Sequence, residues 1–468
     1  MAEVRGIDGP GAAARATATA RAIRDRFLPQ GAILLSVLSF GGYAMGLVRD
    51  RIFARTFGAG GELDAYNAAF VLPELLFDVL IAGGLAAPFV PIVMKLRAED
   101  ERAADDFART ILTLAVLVMA PLAVVLFLIA PATVDLVAPG FDAAGRRLYT
   151  DLFRVMCVTP LIFTASIVLG EMLVVKRRFL FYGLAPLLYN GGIVAGTVLL
   201  GGRIGIFGAA YGAVLGALLH LLVRLVGVML ADIRIRPRLA VRTAAVREFL
   251  TLMVPRMAGA PIEPLTFQFF TSVASAFVAG SVSSVSFARN FESVPVSLIG
   301  VAFSLAAFPA LSAAAAIGDR SRFVAVLRSN VLTIGLLTTG AAAVLFVLST
   351  FVIRFFLAGG AFDAEDVDRT ATLLAAFAVA VPIESLTYPL ARAVYATRNT
   401  VLPVSASVAG LGVTILATQG LVPSVGLIAI PIGFVLGSLT KLFLLSAIVP
   451  FRVRRFPALA AEDLSRAD

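Results

Sequence analysis

The stretch AILLSVLSFGGYAMGLVRD, residues 32–50, carries no charge from Ala32 to Val48 and then closes on Arg49 and Asp50. A run of that length matches the roughly 20 residues needed to cross a bilayer. The fold therefore turns on whether it stands alone or heads a series. It heads a series: apolar stretches at 31–55, 64–94, 109–131, 148–174, 179–201, 204–230, 247–279, 283–314, 325–352, 370–396, 400–418 and 424–450 predict twelve spans. The longer ones imply tilt or kinks. Pro73, Pro88, Pro255, Pro261, Pro264, Pro295, Pro382 and Pro389 fall inside them, where neighbouring helices or a wet cavity must satisfy the freed backbone groups.

Composition agrees with this reading. Of 468 residues, 59% are apolar and 15% charged, against about 25% charged in soluble domains; mean hydropathy is +0.95. A soluble enzyme could not cover itself with so little polar surface, and a disordered chain needs low hydrophobicity. The expected class is an all-α integral membrane protein of about twelve helices. The single cysteine, Cys157, sits in an apolar run and excludes a disulfide framework or a cysteine-based metal site.

The net charge of +9 is a topology signal before it is anything else. With the N-terminus inside, Lys and Arg concentrate in the tail, at 95–109, 176–178, 234–247 and 320–328, at Arg398 and at 452–466. Only Arg51, Arg55, Arg146, Arg147, Arg203, Arg354 and Arg369 fall on the other side. This is the positive-inside pattern. It predicts a multi-pass membrane protein with both termini cytoplasmic, and it removes the need for a nucleic-acid partner.

The chain also repeats. Phe57-Gly58-Ala59-Gly60 returns as Phe277-Val278-Ala279-Gly280, and Leu85-Ala86-Ala87 as Leu305-Ala306-Ala307, both 220 residues on. That offset carries span 1 onto span 7 in the same orientation, a parallel repeat of two six-helix lobes of the kind some transporters use for alternating access. The predicted organisation is a basic tail (1–30), a first lobe (31–230), a cytoplasmic linker (231–246), a second lobe (247–450) and a cytoplasmic C-terminal tail (451–468).

Charges inside the spans mark the candidate site, because a charge at the bilayer centre costs about 2.5–3.5 kcal/mol on insertion scales unless a cavity or partner receives it. Spans 1 and 2 supply Arg49, Asp50, Asp64, Glu74 and Asp78; spans 7 and 8 supply Arg256, Glu263, Arg289 and Glu292; span 10 adds Glu384. These predict a hydrated cavity between the lobes. Simpler readings stand beside it: Arg49-Asp50 as an interfacial pair, Asp64 as an N-cap of its own span, Arg289 and Glu292 as neutralising helix neighbours, and Arg256 as an inner-edge anchor. His220, one turn from Arg224, reads as a satisfied bundle residue. Asp363, Glu365, Asp366 and Asp368 read as a solvated loop. There is no P-loop, no HExxH and no paired Cys and His, so no enzyme, metal site or cofactor is expected beyond coupling to an ion or the membrane potential.

Gly46-Leu47-Val48-Arg49-Asp50, Phe57-Gly58-Ala59-Gly60, Asp64-Ala65-Tyr66, Leu72-Pro73 and Ala87-Pro88-Phe89-Val90-Pro91 resemble the MurJ (MviN) family of lipid II flippases, within the multidrug/oligosaccharidyl-lipid/polysaccharide superfamily. The likeness continues at Ala279-Gly280-Ser281-Val282-Ser283, Pro309-Ala310-Leu311-Ser312 and Tyr395-Ala396-Thr397-Arg398-Asn399-Thr400. It implies a V-shaped twelve-helix carrier, often with two further C-terminal helices. This chain ends after twelve spans, so the groove those two would form is expected to be missing.

The resemblance implies a function as well: translocation of lipid II or a related undecaprenyl-diphosphate-linked precursor from the inner to the outer leaflet. Arg49, Arg256 and Arg289 would hold the diphosphate through charge-assisted hydrogen bonds. Asp50, Asp64, Glu74, Asp78, Glu263, Glu292 and Glu384 would orient them or couple closure to ions. Expected partners are that precursor, membrane lipids and cell-wall synthesis proteins. The chain departs from the family at Tyr43, Phe77 and Asn290, where arginines are usual, and it adds Glu74 and Asp78. Those departures keep two other readings open: export of another lipid-linked glycan or of cationic amphiphiles, and a transport-inactive scaffold of a cell-wall assembly.

Overall fold

The computed structural model describes residues 30–79, 84–257 and 261–454; the expected tails at 1–29 and 455–468 lie outside them. Among the described residues there is no strand, only one isolated bridge between Gly359 and Phe362. The first half holds α1 (Gln30–Phe57), α2 (Gly61–Phe77), α3 (Ala86–Glu99), α4 (Glu101–Val137), α5 (Ala143–Met156), α6 (Thr159–Val175), α7 (Phe179–Ile204) and α8 (Phe207–Met229). The second holds α9 (Ala244–Met257), α10 (Ile262–Ala274), α11 (Ser281–Pro295), a π-helical segment (Val296–Val301), α12 (Ala302–Ile317), α13 (Arg320–Val347), α14 (Ser349–Leu357), α15 (Ala364–Ala378), α16 (Ala380–Ala396), α17 (Val401–Val425) and α18 (Ala429–Val453).

By length and composition, seven helical runs among the described residues can cross a membrane, or eight if the bent pair α15–α16 is one span. One of those runs, Val401–Val453, reverses at Gly426, whose φ is 63°. Twelve passages are consistent with this arrangement. Two proline-bearing spans are irregular: span 8 widens into its π segment just after Pro295, and span 10 bends by 41° between α15 and α16, whereas α4 stays continuous through Pro121 and Pro131.

The internal repeat extends through both halves. α2 begins at Gly61 and α11 at Ser281; α4 and α14 end at Val137 and Leu357; α7 and α17 begin at Phe179 and Val401. Even the caps recur. Asp100 and Asp319 each accept a backbone N–H at the start of α4 and α13, and Asp142 and Asp363 do the same for α5 and α15, satisfying donors that a helix start leaves orphaned.

Close packing follows from small residues. α7 and α8 run antiparallel with Gly192 against Gly216 and Gly196 against Gly212; α17 and α18 repeat the arrangement with Gly410 against Gly437. Small residues let two backbones approach where lipid offers no hydrophobic drive for association. At Gly216 an added Cβ would run into the Tyr189 carbonyl. α1 lies parallel to α7, with Gly183 against Leu38 and Asn190 against Arg49.

The cores set the architecture. One apolar core is common to both halves, joining Phe53, Tyr66 and Phe153 to Phe270, Phe291 and Phe377. It lies toward the end that carries the α1–α2 turn. At the opposite, arginine-rich end the cores separate. One holds Phe89, Phe107 and Met172 with Phe249 of α9, and the other holds Leu311, Phe323, Val394 and Leu445 of the second half.

Candidate functional site

At the turn end the halves are tied by backbone groups and carboxylates. Gly280 has φ 90°, a left-handed conformation that favours glycine, and an added Cβ there would overlap the Ala59 carbonyl. The Gly280 N–H donates to Asp64 Oδ2 at 2.7 Å, while the Ser283 N–H and Oγ donate to Asp64 Oδ1 at 2.7 and 2.6 Å. Asp64 is therefore a cap, as one reading held, but of α11 in the other half rather than of its own helix. Its charge sits on the positive end of that helix.

The return contact comes from Asp366, whose Oδ2 accepts the Ala59 N–H at 3.0 Å. Asp366 is buried, so the loop reading of the acidic run is corrected at this residue. Two arginines counted only among the charges of the outer side do more: Arg51 donates to the Phe355 and Phe356 carbonyls and Arg55 to that of Ala358. Nothing in their local sequence announces these partners, because the acceptors are carbonyls of a helix end some 300 residues away.

One step deeper, Arg49 donates to Asp50 at 3.0 and 2.8 Å and to Asn190 Oδ1 at 3.2 Å. Asn290 of α11 donates to the other Asp50 oxygen at 3.0 Å, across the halves. Asp50 is buried, while Arg49 keeps 27% of its side chain exposed. The pair lies against the second half, not splayed toward headgroups. Asn290, one of the departures from the family pattern, is the residue that closes this contact. Among the described residues, the hydrogen bonds between α1–α8 and α10–α18 reach from the turn to Asp50–Asn290 and no further toward the arginine-rich end.

Beyond them stand Glu74 and Asp78 at the end of α2 and Glu263 on α10. Glu74 and Glu263 are exposed and Asp78 is half-buried. None makes an ion pair with another described residue. Arg256 lies on α9, and its side chain falls outside the described residues.

Arg289 is placed elsewhere. It does not join Arg49; it turns into the second half, where it pairs with Glu292 on its own helix and with both oxygens of Glu384 at 2.9 and 3.1 Å. Its guanidinium stacks on Phe434 at 4.5 Å and on Phe267 at 5.5 Å. This group borders a cavity of about 220 Å³ lined by Glu263, Arg289, Glu384, Tyr388, Phe434 and Lys441 among others. Lys441 is a charge in the middle of the last apolar stretch; the sequence reading passes over it although the same rule that finds Arg49 finds it. His220 behaves as expected of a bundle residue: its Nδ1 meets Ser166 Oγ at 2.7 Å in a sealed contact.

A family model described as lipid II flippase MurJ matches residues 53–462. The lipid II flippase MurJ of Burkholderia cenocepacia is 28% identical over 393 residues, covering 81% of this chain and 76% of that protein. A solved lipid II flippase MurJ in an inward closed conformation superposes with a TM-score of 0.78 at 23% identity, over 89% of this chain and 87% of that one. An inward-facing multidrug resistance MATE family transporter of the MOP superfamily gives 0.74 at 16%, over 91% and 98%. The fold of these two transporters is the fold of this chain.

Proposed function

The chain belongs to the family of lipid II flippases MurJ, and from that premise we propose that it carries lipid II, or a closely related undecaprenyl-diphosphate-linked precursor, from the inner to the outer leaflet of a bacterial cytoplasmic membrane. The observation that carries the reading is the division of its core: one core shared at the turn end, two separate cores at the other. A body built this way can rock about its joined end, which is what alternating access requires. The basic end faces the cytoplasm, following the distribution of arginines, so the gap opens toward the leaflet where the precursor is made.

In this reading the rocking bodies are the lobe 31–230 together with α9, whose Phe249 packs in that lobe's core, and the remainder of the lobe 247–450. Arg49 is the cation offered to the diphosphate, and Arg256 is assigned as its partner in that role. Asp50 and Asn290 hold the Arg49 guanidinium at the floor of the gap, and Asp64 holds the outer end shut. Arg289, locked by two carboxylates, serves the second half and not the anion. Glu74, Asp78 and Glu263 line the way in, where they select against anions that lack a compensating cationic group. Transport needs no covalent chemistry.

The test is translocation of lipid II by the purified full chain in liposomes, read by accessibility of the headgroup to an added enzyme. Flipping by the wild type that falls at least tenfold in Arg49→Ala supports the reading. Wild-type rates equal to empty liposomes, or full activity in Arg49→Ala, would overturn it.

A further inference from the structure

The cavity inside the second half poses a question of charge balance. Two carboxylates line it, Glu263 and Glu384, a third, Glu292, is buried beside Arg289, and the Arg289 guanidinium is shared between Glu292 and Glu384. Burying uncompensated carboxylates is costly, and an ion pair offsets that cost only when its geometry is good. Glu292 is fully buried and one of its oxygens has no hydrogen-bond partner, as is true of Arg289 Nε. A cavity so lined attracts a cation.

Its walls suit one. Around the carboxylates stand the hydroxyl-bearing residues Thr387, Ser407, Thr414 and Ser438, hard oxygen donors of the sort that coordinate alkali ions in place of water. Yet a cation is already present. Lys441, halfway along α18, borders the cavity. Its Nζ lies 6.0 Å from the ring centre of Tyr388, within electrostatic reach of Glu384 and Glu263. Among the described residues it forms no hydrogen bond or ion pair.

The repeat sharpens the point. Gly212 and Gly433, and Gly216 and Gly437, are equivalent 221 residues apart, which makes His220 the counterpart of Lys441. The first half uses this position for a packed hydrogen bond to Ser166. The second half puts a long cation there and leaves room around it. Packing alone does not call for an ammonium at this depth.

We propose that Lys441 is the cavity's own tethered cation: it fills the place an alkali ion would otherwise take, so the wild-type protein binds no alkali ion there, and shortening Lys441 turns the cavity into a monovalent-cation site. The inference goes beyond the carrier reading and does not depend on it, because its readout is binding rather than transport.

The experiment is thermal unfolding of the full-length protein in detergent, titrated with sodium or potassium chloride against choline chloride at constant ionic strength. The wild type and Lys441→Arg are expected to melt at one temperature in all three salts. Lys441→Ala is expected to melt lower in choline and to recover by several degrees, saturably, in sodium or potassium. Adding Glu263→Gln or Glu384→Gln to that variant should flatten the titration. Lys441→Met, which keeps the apolar stem volume, carries the same expectation should the alanine variant misfold. A saturable rise in the wild type with sodium or potassium would overturn the proposal, as would a folded Lys441→Ala or Lys441→Met indifferent to both ions. Lipid II translocation measured on the same preparations separates the two ideas: loss of flipping with intact ion responses refutes the carrier reading alone.

Discussion

The two halves share a backbone plan and differ at its centre. In the first, the polar residues of α6 and α8 bond to one another. Ser166 bonds His220, Arg224 reaches the Ser166 carbonyl at 2.8 Å, and it passes over the bare Cα of Gly170. In the second, the matching region holds Arg289, Glu384 and Lys441 around an open volume. Helices, caps and glycine contacts recur in both halves; a handful of side chains decides that the buried guanidinium of the first half, Arg224, is covered by packing while that of the second, Arg289, borders open volume.

The largest effect expected is on stability, and it separates the halves. Arg289→Leu leaves Glu292 and Glu384 buried without their cation, a change that costs about 3–5 kcal/mol. His220→Leu leaves Ser166 Oγ its second bond, to the His220 backbone carbonyl, and should cost about 1 kcal/mol. Unfolding midpoints in detergent measure both. Equal losses would erase the distinction between a charge-locked and a hydrogen-bond-locked centre.

How much of this the sequence discloses follows the same divide. The spans are legible because membrane insertion depends on composition over some twenty residues, and the observed helices overlap every stretch read, with ends that differ by up to eight residues. The repeat was visible at Phe57–Gly60 and Phe277–Gly280; the aspartate caps at 100 and 319, and at 142 and 363, would have extended it. Charges in spans flagged Arg49, Asp50, Asp64, Arg289, Glu292 and Glu384 because each violates the solvent it sits in. Partners were not legible. Asp64 with Gly280 and Ser283, Asp50 with Asn290, and Arg289 with Glu384 are set by how the halves dock and by which face of a kinked helix turns inward. No local pattern carries that information.

The second comparison, read as opening rather than as unfolding, is the latch at the turn end, where the halves again contribute unequally. Hydrogen bonds to a charged group are worth about 1.5–3 kcal/mol each. Asp64 accepts three from the second half, and Asp366 accepts one from the first. Asp64→Ala should therefore shift the protein toward an opened turn end much more than Asp366→Ala does. Thiol labelling of Ser281→Cys, buried at this seam, in a Cys157→Ala background reports the opening. Faster labelling in Asp366→Ala than in Asp64→Ala would reverse the assignment of the dominant clasp.

The smallest effect tests whether the polar floor belongs to one half or to the contact between them. Asn190 and Asn290 are both amides, each giving or taking one hydrogen bond with the Arg49–Asp50 pair, at 3.2 and 3.0 Å. Asn190 lies in the same half as that pair; Asn290 does not. Each is a single bond to a charged group, so removing either costs about 1.5 kcal/mol, roughly a tenfold change in an equilibrium. Asn190→Ala loses it in every conformation, so it lowers the melting temperature and leaves Ser281→Cys labelling unchanged. Asn290→Ala loses it only where the halves touch, so labelling should speed up severalfold while the melting temperature hardly moves. The discriminating quantity is the ratio of the two responses, and an identical ratio for both amides would mean that the floor does not part when the halves rock.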